Sequence, residues 1–179
     1  MVINHPCLLI DACCLINLHA SGRLSEIAEA VPAPVMVAQR VWEQEVSTLH
    51  KVESAAGTPA EQAIEEGIIK IAELESSEAE TFVNYAAVLR GDGEAATCAI
   101  AFSRGWAVAT DDRAAIRFVE REASRIQVVS TLELVEHWAK QTKKSPDSVR
   151  QVLIQIRDIG GYFPGIRHPM YAWWDGMIR

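Results

Sequence analysis

The chain of 179 residues has no CxxC pair, no glycine-rich loop after its first apolar run, and no apolar stretch approaching the roughly 20 residues that a bilayer span needs. Each absence removes a class of function. The four cysteines, Cys7, Cys13, Cys14 and Cys98, stand among Leu, Ile and Ala with no histidine at ligand spacing, which argues against zinc and for reduced, buried thiols. Without a loop to cradle phosphates, a nucleotide-binding protein is disfavoured. The opening MVINHPCLLID lacks a basic n-region and a cleavable apolar core, so no signal peptide is expected. Reduced thiols point the same way, and the cytoplasm is the expected compartment. The histidines, His5, His19, His50, His137 and His168, are scattered and form no catalytic set.

What is present is ordinary in bulk and uneven in detail. Hydrophobic content of 49% and charged content of 23% suit a globular chain long enough to bury a core in about one domain. The net charge of −7 argues against nonspecific affinity for nucleic acid, which depends on Lys and Arg displacing counterions. That total conceals a split, because residues 140–179 carry a net +4 and the preceding 139 a net −11. An acidic body with a basic tail can hold a metal in one place and a phosphate backbone in another; a solvated basic helix explains the tail equally well.

Short apolar runs at 7–10, 34–38, 67–74, 106–110 and 126–130 read as strands, the third at an edge. Helical patterns separate them: two pieces over 12–30 broken near Ser21-Gly22, with Ser25 as a cap, then 39–50, a poorly defined 53–67, and 77–89 opened by Ser77 and Glu80. Further helices are expected over 93–104, capped by Asp92 and closed by Gly105, and over 112–123, 131–142 and 145–160. The last has Ser145 as cap, Pro146 in its first turn, and an apolar face of Val149, Val152, Leu153, Ile156 and Ile159. Strands alternating with helices predict a three-layer α/β/α sandwich around a central, mostly parallel sheet. Residues 1–142 form the expected domain, and 143–179 an extension packed on it.

Four acidic segments fall where such a fold gathers its working groups, beyond the carboxyl ends of the strands. Asp11 ends the run CLLI, Glu43 and Glu45 lie on the helix after the second strand, Glu94 opens a helix of small residues, and Asp111 and Asp112 follow WAVAT. Each has an ordinary explanation alone: Asp11 and the Asp pair as helix caps, Glu94 as a favourable charge at a helix start, Glu43 and Glu45 as a solvated face. Glu45 shares the face of Val41, four residues away, and is preferred to Glu43; Asp112 is preferred to Asp111. Clustered carboxylates repel one another unless a cation lies between them, and a hard divalent ion is the simplest occupant.

The order of these segments, carried by LLIDACCLINL, VMVAQRVWEQEV, GDGEAATCAIAFSRGWAVATDD and RAAIRF, resembles the PIN-domain family of metal-dependent ribonucleases, which includes VapC-type toxins. The resemblance implies a PIN-like α/β/α fold and hydrolysis of RNA phosphodiester bonds with Mg²⁺ or Mn²⁺. It maps the acids onto Asp11, Glu45 (or Glu43), Glu94 and Asp112 (or Asp111), with Asp11, Glu94 and Asp112 holding the principal ion. It makes RNA the substrate, and a protein antitoxin and a second copy of the chain the partners to look for. Two departures stand out: acids flank both sides of the usual glutamate position in VWEQEV, and Ala12 replaces the small polar residue often found after the first aspartate. A PIN-like module that binds without cutting is the alternative. A phosphatase of the haloacid dehalogenase type would need an acid two residues after Asp11, where Cys13 stands.

The tail GGYFPGIRHPMYAWWDGMIR mixes Tyr162, Phe163, Tyr171, Trp173 and Trp174 with Arg167 and Arg179. That composition suits packing back on the domain, a protein partner, or stacking on RNA bases with phosphate contact.

Overall fold

Five short strands build one sheet in a computed structural model that describes residues 1–52, 59–89 and 91–179. They are β1 (Leu8–Ile10), β2 (Val35–Ala38), β3 (Ile69–Ala72), β4 (Ala107–Ala109) and β5 (Val128–Val129), all parallel, in the order β3-β2-β1-β4-β5. The centre is β1, with Leu8 and Leu9 fully excluded from solvent. A strand flanked on both sides and covered on both faces has no polar surface to show, which is why LLI reads as a continuous apolar run. Burying each such side chain contributes about 1.5–3 kcal/mol.

Helices fill the crossovers: α1 (Ala12–Ala20), α2 (Leu24–Ala30), α3 (Gln39–Val52), α4 (Pro59–Glu65), α5 (Ala79–Ala86), α6 (Asp92–Arg104), α7 (Arg113–Glu122), α8 (Thr131–Gln141), α9 (Pro146–Asp158) and α10 (Tyr171–Ile178). The chain is thus the expected α/β fold, with β3 at an edge as its pattern implied. None of the helices among the described residues is long and apolar enough to cross a membrane.

Several helix ends follow their sequence signals. Ser145 caps α9 ahead of Pro146, and Gly105 ends α6 in the left-handed region at φ 65°. At α8, where no cap was read from the sequence, Ser130 and Glu133 cap reciprocally. Three differ. Ser25 lies inside α2, whose cap position is Arg23. The turn before α5 is a 3₁₀ segment, Ser76–Glu78, in which the Glu75 N–H donates to Glu78 Oε2 at 2.8 Å; Glu78 wins over Glu80 because it also faces Arg104. Asp92 is the first residue of α6, and Gly91 takes the cap position. Part of the poorly defined 53–67 segment, residues 53–58, lies outside the described residues.

The basic C-terminal region shares the main core. Val149, Val152, Leu153 and Ile156 form a buried stripe on α9, whereas Ile159, past the last helical turn, is exposed. Beyond it the chain returns over the domain. Trp174 is buried, and the Phe163 ring packs against it in a T-shaped arrangement with centroids 4.7 Å apart.

Candidate active site

The strand order reverses direction between β1 and β4, because β2 and β3 follow on one side of β1 while β4 and β5 lie on the other. Crossovers leave opposite faces at such a point and open a crevice beyond the carboxyl ends of the two strands. Ile10 pairs with Ala109, and the next backbone bond runs from the Asp11 N–H to the Ala109 carbonyl at 2.9 Å. Asp11 and Thr110 therefore leave the sheet side by side.

Asp11 occupies the cap position of α1 but makes no capping hydrogen bond with its side chain. It is only 2% exposed. Its Oδ2 accepts from the Thr110 hydroxyl at 2.9 Å, with the Cys13 thiol 3.7 Å away. Its Oδ1 is buried with no hydrogen-bond partner. Burial pushes the carboxyl above the usual carboxylate range and the nearby charge of Asp112 adds to this, against the Ala12 N–H, the Thr110 hydroxyl and the Cys13 thiol. An ionised carboxylate with an orphaned oxygen and a like charge beside it is costly, unless a cation compensates both.

The two adjacent aspartates do different work. Asp112 caps α7, its Oδ1 accepting from the N–H groups of Ala114 and Ala115 at 2.6 and 2.8 Å. Among the described residues its Oδ2 accepts no hydrogen bond. The Asp112 N–H itself donates to Thr110 Oγ1 at 3.2 Å, so one threonine hydroxyl sets both carboxylates. Asp111 points elsewhere. Its Oδ2 accepts from Asn17 Nδ2 at 3.0 Å and from the Thr131 hydroxyl at 2.5 Å, and its Oδ1 accepts from the Thr131 N–H at 3.1 Å. Tyr162 faces it too, and burial followed by the Asp111 charge pushes that phenol far up.

Glu94 is in the first turn of α6, which packs against β1, β2 and β4. Cys98 lies one helical turn further on, on the same side of the helix. Burial pushes the Cys98 thiol up to about 12, and the charges of Asp11 and then Glu94 add to the rise. Both carboxylates thus act on one buried thiol of a helix that packs on β1. Neighbouring Gly93 makes this approach possible: a Cβ there would stand 3.1 Å from Val41 Cγ2 and 3.0 Å from Gln44 Oε1 of α3. Val41 and Leu49 are fully buried, and Glu45 lies between them on that helical stripe, half-buried. Glu43 is exposed, accepts from Gln39 Nε2 at 2.7 Å, and lines a separate cleft of about 360 Å³ above β2 and β3.

Among the described residues, one group of three or more potential ligand atoms lies mutually within 4.8 Å: Cys13, Cys14 and Asp111. It does not suit a metal. Both oxygens of Asp111 are taken, and Cys14, fully enclosed, has its thiol pushed far above the ordinary range by burial, then by Cys13 and Asp111. Thiolate ligation requires the opposite shift. These atoms form a hydrogen-bonded knot that ties α1, the start of α7, the start of α8 and the tail together. The carboxylates of Asp11, Glu94 and Asp112 do not form a group that tight among the described residues; they are all-oxygen donors and include the orphaned atom of Asp11, the donor type that a hard divalent ion keeping several waters would take.

Sequence reasoning gave no role to Thr110, Asn17 or Thr131, and read Tyr162 only as one of the tail aromatics. Thr110 stood beside the acids in the TDD motif; the other three are brought in only by tertiary packing. The described histidines are structural where their bonds are seen: His5 bridges the Gly105 carbonyl and the Gln127 N–H, and His137 meets the Ala30 carbonyl.

No curated protein matches the chain. Residues 7–165 match the family described as PIN domain, whose fold is of the nuclease type, and the match runs through the strand-end acids, the knot around Asp111 and all of α9. With that match covering most of its length, the chain belongs to the PIN-domain family.

Proposed function

We propose that this protein is a metal-dependent endoribonuclease whose Asp11, Glu94 and Asp112 hold a Mg²⁺ or Mn²⁺ ion, with Glu45 completing the acidic wall. The observation that carries the reading is the buried, partnerless Oδ1 of Asp11 at the point where the strand order reverses, beside a second carboxylate. When bound, a divalent ion supplies Lewis-acid activation of water and offsets charge on the phosphate undergoing hydrolysis.

The chain's own residues supply position. Thr110 orients Asp11 through Oδ2 and holds the backbone of Asp112, so the two carboxylates keep a fixed relation before substrate arrives. Asp112 spends one oxygen on the helix cap and keeps the other available. Asp111 anchors the strand end from behind, and we assign it a positioning role. Hydrolysis between the carboxylates and an RNA phosphate needs no histidine, which suits the structural use of His5 and His137. Uncontrolled RNA cleavage harms a cell, and a toxin held in check by a protein antitoxin is the role this chemistry suits.

The test is cleavage of end-labelled RNA by wild type and Asp11→Asn with Mg²⁺, Mn²⁺ or chelator. The reading expects cutting that requires the ion and disappears in the variant. Equal cutting by both proteins refutes it, and RNA binding without cutting by wild type favours the non-catalytic alternative.

A further inference from the structure

A cleft of about 410 Å³ runs from Asp111 along α7, with the returning C-terminal segment as its second wall. Arg113 and Arg117 line it from α7, and Arg167 and His168 from the tail, together with Tyr162 and Phe163. Three guanidinium groups in one cleft are unusual in a chain of net charge −7. Among the described residues none of the three is in an ion pair, nor are Arg125 and Arg150, whereas Arg23, Arg40, Arg104, Arg121, Arg157 and Arg179 are. Like charges left together without a counterion imply an anionic visitor, as acids left together imply a cation.

The cleft is built rather than incidental. Gly165 passes close beside Arg113: a Cβ there would meet the guanidinium, the end of a flexible side chain that would have to move aside. Gly160 is pressed against Asn17 Oδ1 and the Ile156 carbonyl, which fixes where the tail leaves α9. Pro164 is buried, and Tyr162 reaches the Asp111 knot. The His168 ring accepts the Met170 N–H at Nδ1, which leaves Nε2 to carry the proton of the neutral ring.

Position identifies the visitor. Arg113 follows Asp112 directly in the chain, and Arg117 lies about one turn on, about 6 Å along the helix axis. A ligand that is anionic at several points in a row, and passes the acidic crevice, would lie along both. Phe163, 59% exposed, offers a ring face beside the cations, as stacking grooves for single strands do. We propose that this cleft holds the backbone phosphates of the RNA strand flanking the scissile bond, with Arg113, Arg117 and Arg167 as phosphate contacts and Phe163 as a stacking platform. The proposal rests on the nuclease reading for its substrate, and assigns the tail's mixed aromatic and basic composition to substrate positioning.

The experiment measures binding, in chelator, of a fluorescent mixed-sequence single-stranded RNA to the full chain and to Arg113→Gln/Arg117→Gln/Arg167→Gln across a salt series. Circular dichroism checks folding, and Mn²⁺ titration checks the acidic site. The expected result is at least about ten-fold weaker binding. The slope of log K against log salt should flatten by about 2, roughly 0.7 for each phosphate no longer neutralised, with Mn²⁺ binding unchanged. Phe163→Ala should weaken binding without altering the slope. Unchanged affinity and slope in the folded triple variant overturn the proposal while leaving the nuclease reading intact. Arginine-dependent RNA binding by a wild type that never cuts upholds the cleft and sinks the nuclease reading. Equal, arginine-dependent affinity for an acidic peptide such as oligo-glutamate would assign the cleft to a protein partner and overturn the proposal.

Discussion

The Thr110 hydroxyl donates to Asp11 Oδ2 over 2.9 Å and accepts the Asp112 N–H over 3.2 Å, so a single side chain at the end of β4 fixes two carboxylates. Thr110→Val keeps the shape and removes both bonds. We expect a stability loss of about 1–3 kcal/mol from the buried acceptor left short of a donor, and a fall in metal-dependent cleavage. Thr110→Ser should restore most of the cleavage. Urea denaturation and single-turnover cutting check the pair; a fully active valine variant would show that the hydroxyl sets nothing.

Asp11 carries its charge where the fold gains nothing from it without an ion. Its carboxyl titrates above the usual carboxylate range, so ionisation weakens the folded state above that range. In chelator, Asp11→Asn should therefore melt at or above the wild-type temperature. Saturating Mn²⁺ should reverse the order, because an ion at 100 times its Kd stabilises the wild type by about 2.7 kcal/mol. Thermal melts of both proteins with and without the ion give the answer.

The neighbouring aspartates should separate cleanly on substitution. Asp112→Asn keeps a good cap for α7, costs at most about 1 kcal/mol, and abolishes cleavage. Asp111→Asn disturbs the bonds to Asn17 and Thr131 and costs about 1–3 kcal/mol, with residual cleavage in the fraction that folds. The reverse pattern in stability and activity would exchange their roles.

Away from the site, Glu78 and Arg104 form the best-buried ion pair among the described residues, with Arg104 Nε 2.7 Å from Glu78 Oε1 and Nη2 2.8 Å from Oε2. Burial alone would raise the Glu78 carboxyl, but the Arg104 bonds and the Glu75 N–H outweigh it and hold the group below its ordinary 4.5. The stabilisation is present above that value and lost as pH falls through the depressed one. Arg104→Gln should cost about 2–4 kcal/mol at neutral pH, because Glu78 stays buried with its charge unpaired. The gap to wild type should close only as pH falls through the depressed Glu78 value, well into acid, where both proteins carry a neutral Glu78. Denaturation across a pH series checks the sign.

Much of this was legible in the chain. Continuous apolar runs such as LLI and VMVA mark strands buried on both faces, and Gly105 and Ser145 mark helix ends through chemistry that acts within a few residues. Strand-end acids could be listed for the same reason. What escaped depends on partners far away in sequence. Nothing in TDD says that Asp111 turns to meet Asn17 and Thr131 while Asp112 caps α7, because one residue of rotation is decided by packing. Glu78 outdid Glu80 through Arg104, 26 residues on. The arginines of α7 and the tail are unremarkable until Gly160 and Gly165 bring the chain back across the domain.

The most direct measurement is Mn²⁺ binding followed by electron paramagnetic resonance, on wild type and on Asp11→Asn, Glu94→Gln, Asp112→Asn and Glu43→Gln. The account predicts a strong site in wild type and in Glu43→Gln, lost in Asp11→Asn and weakened in the other two. Wild-type affinity in folded Asp11→Asn would contradict it.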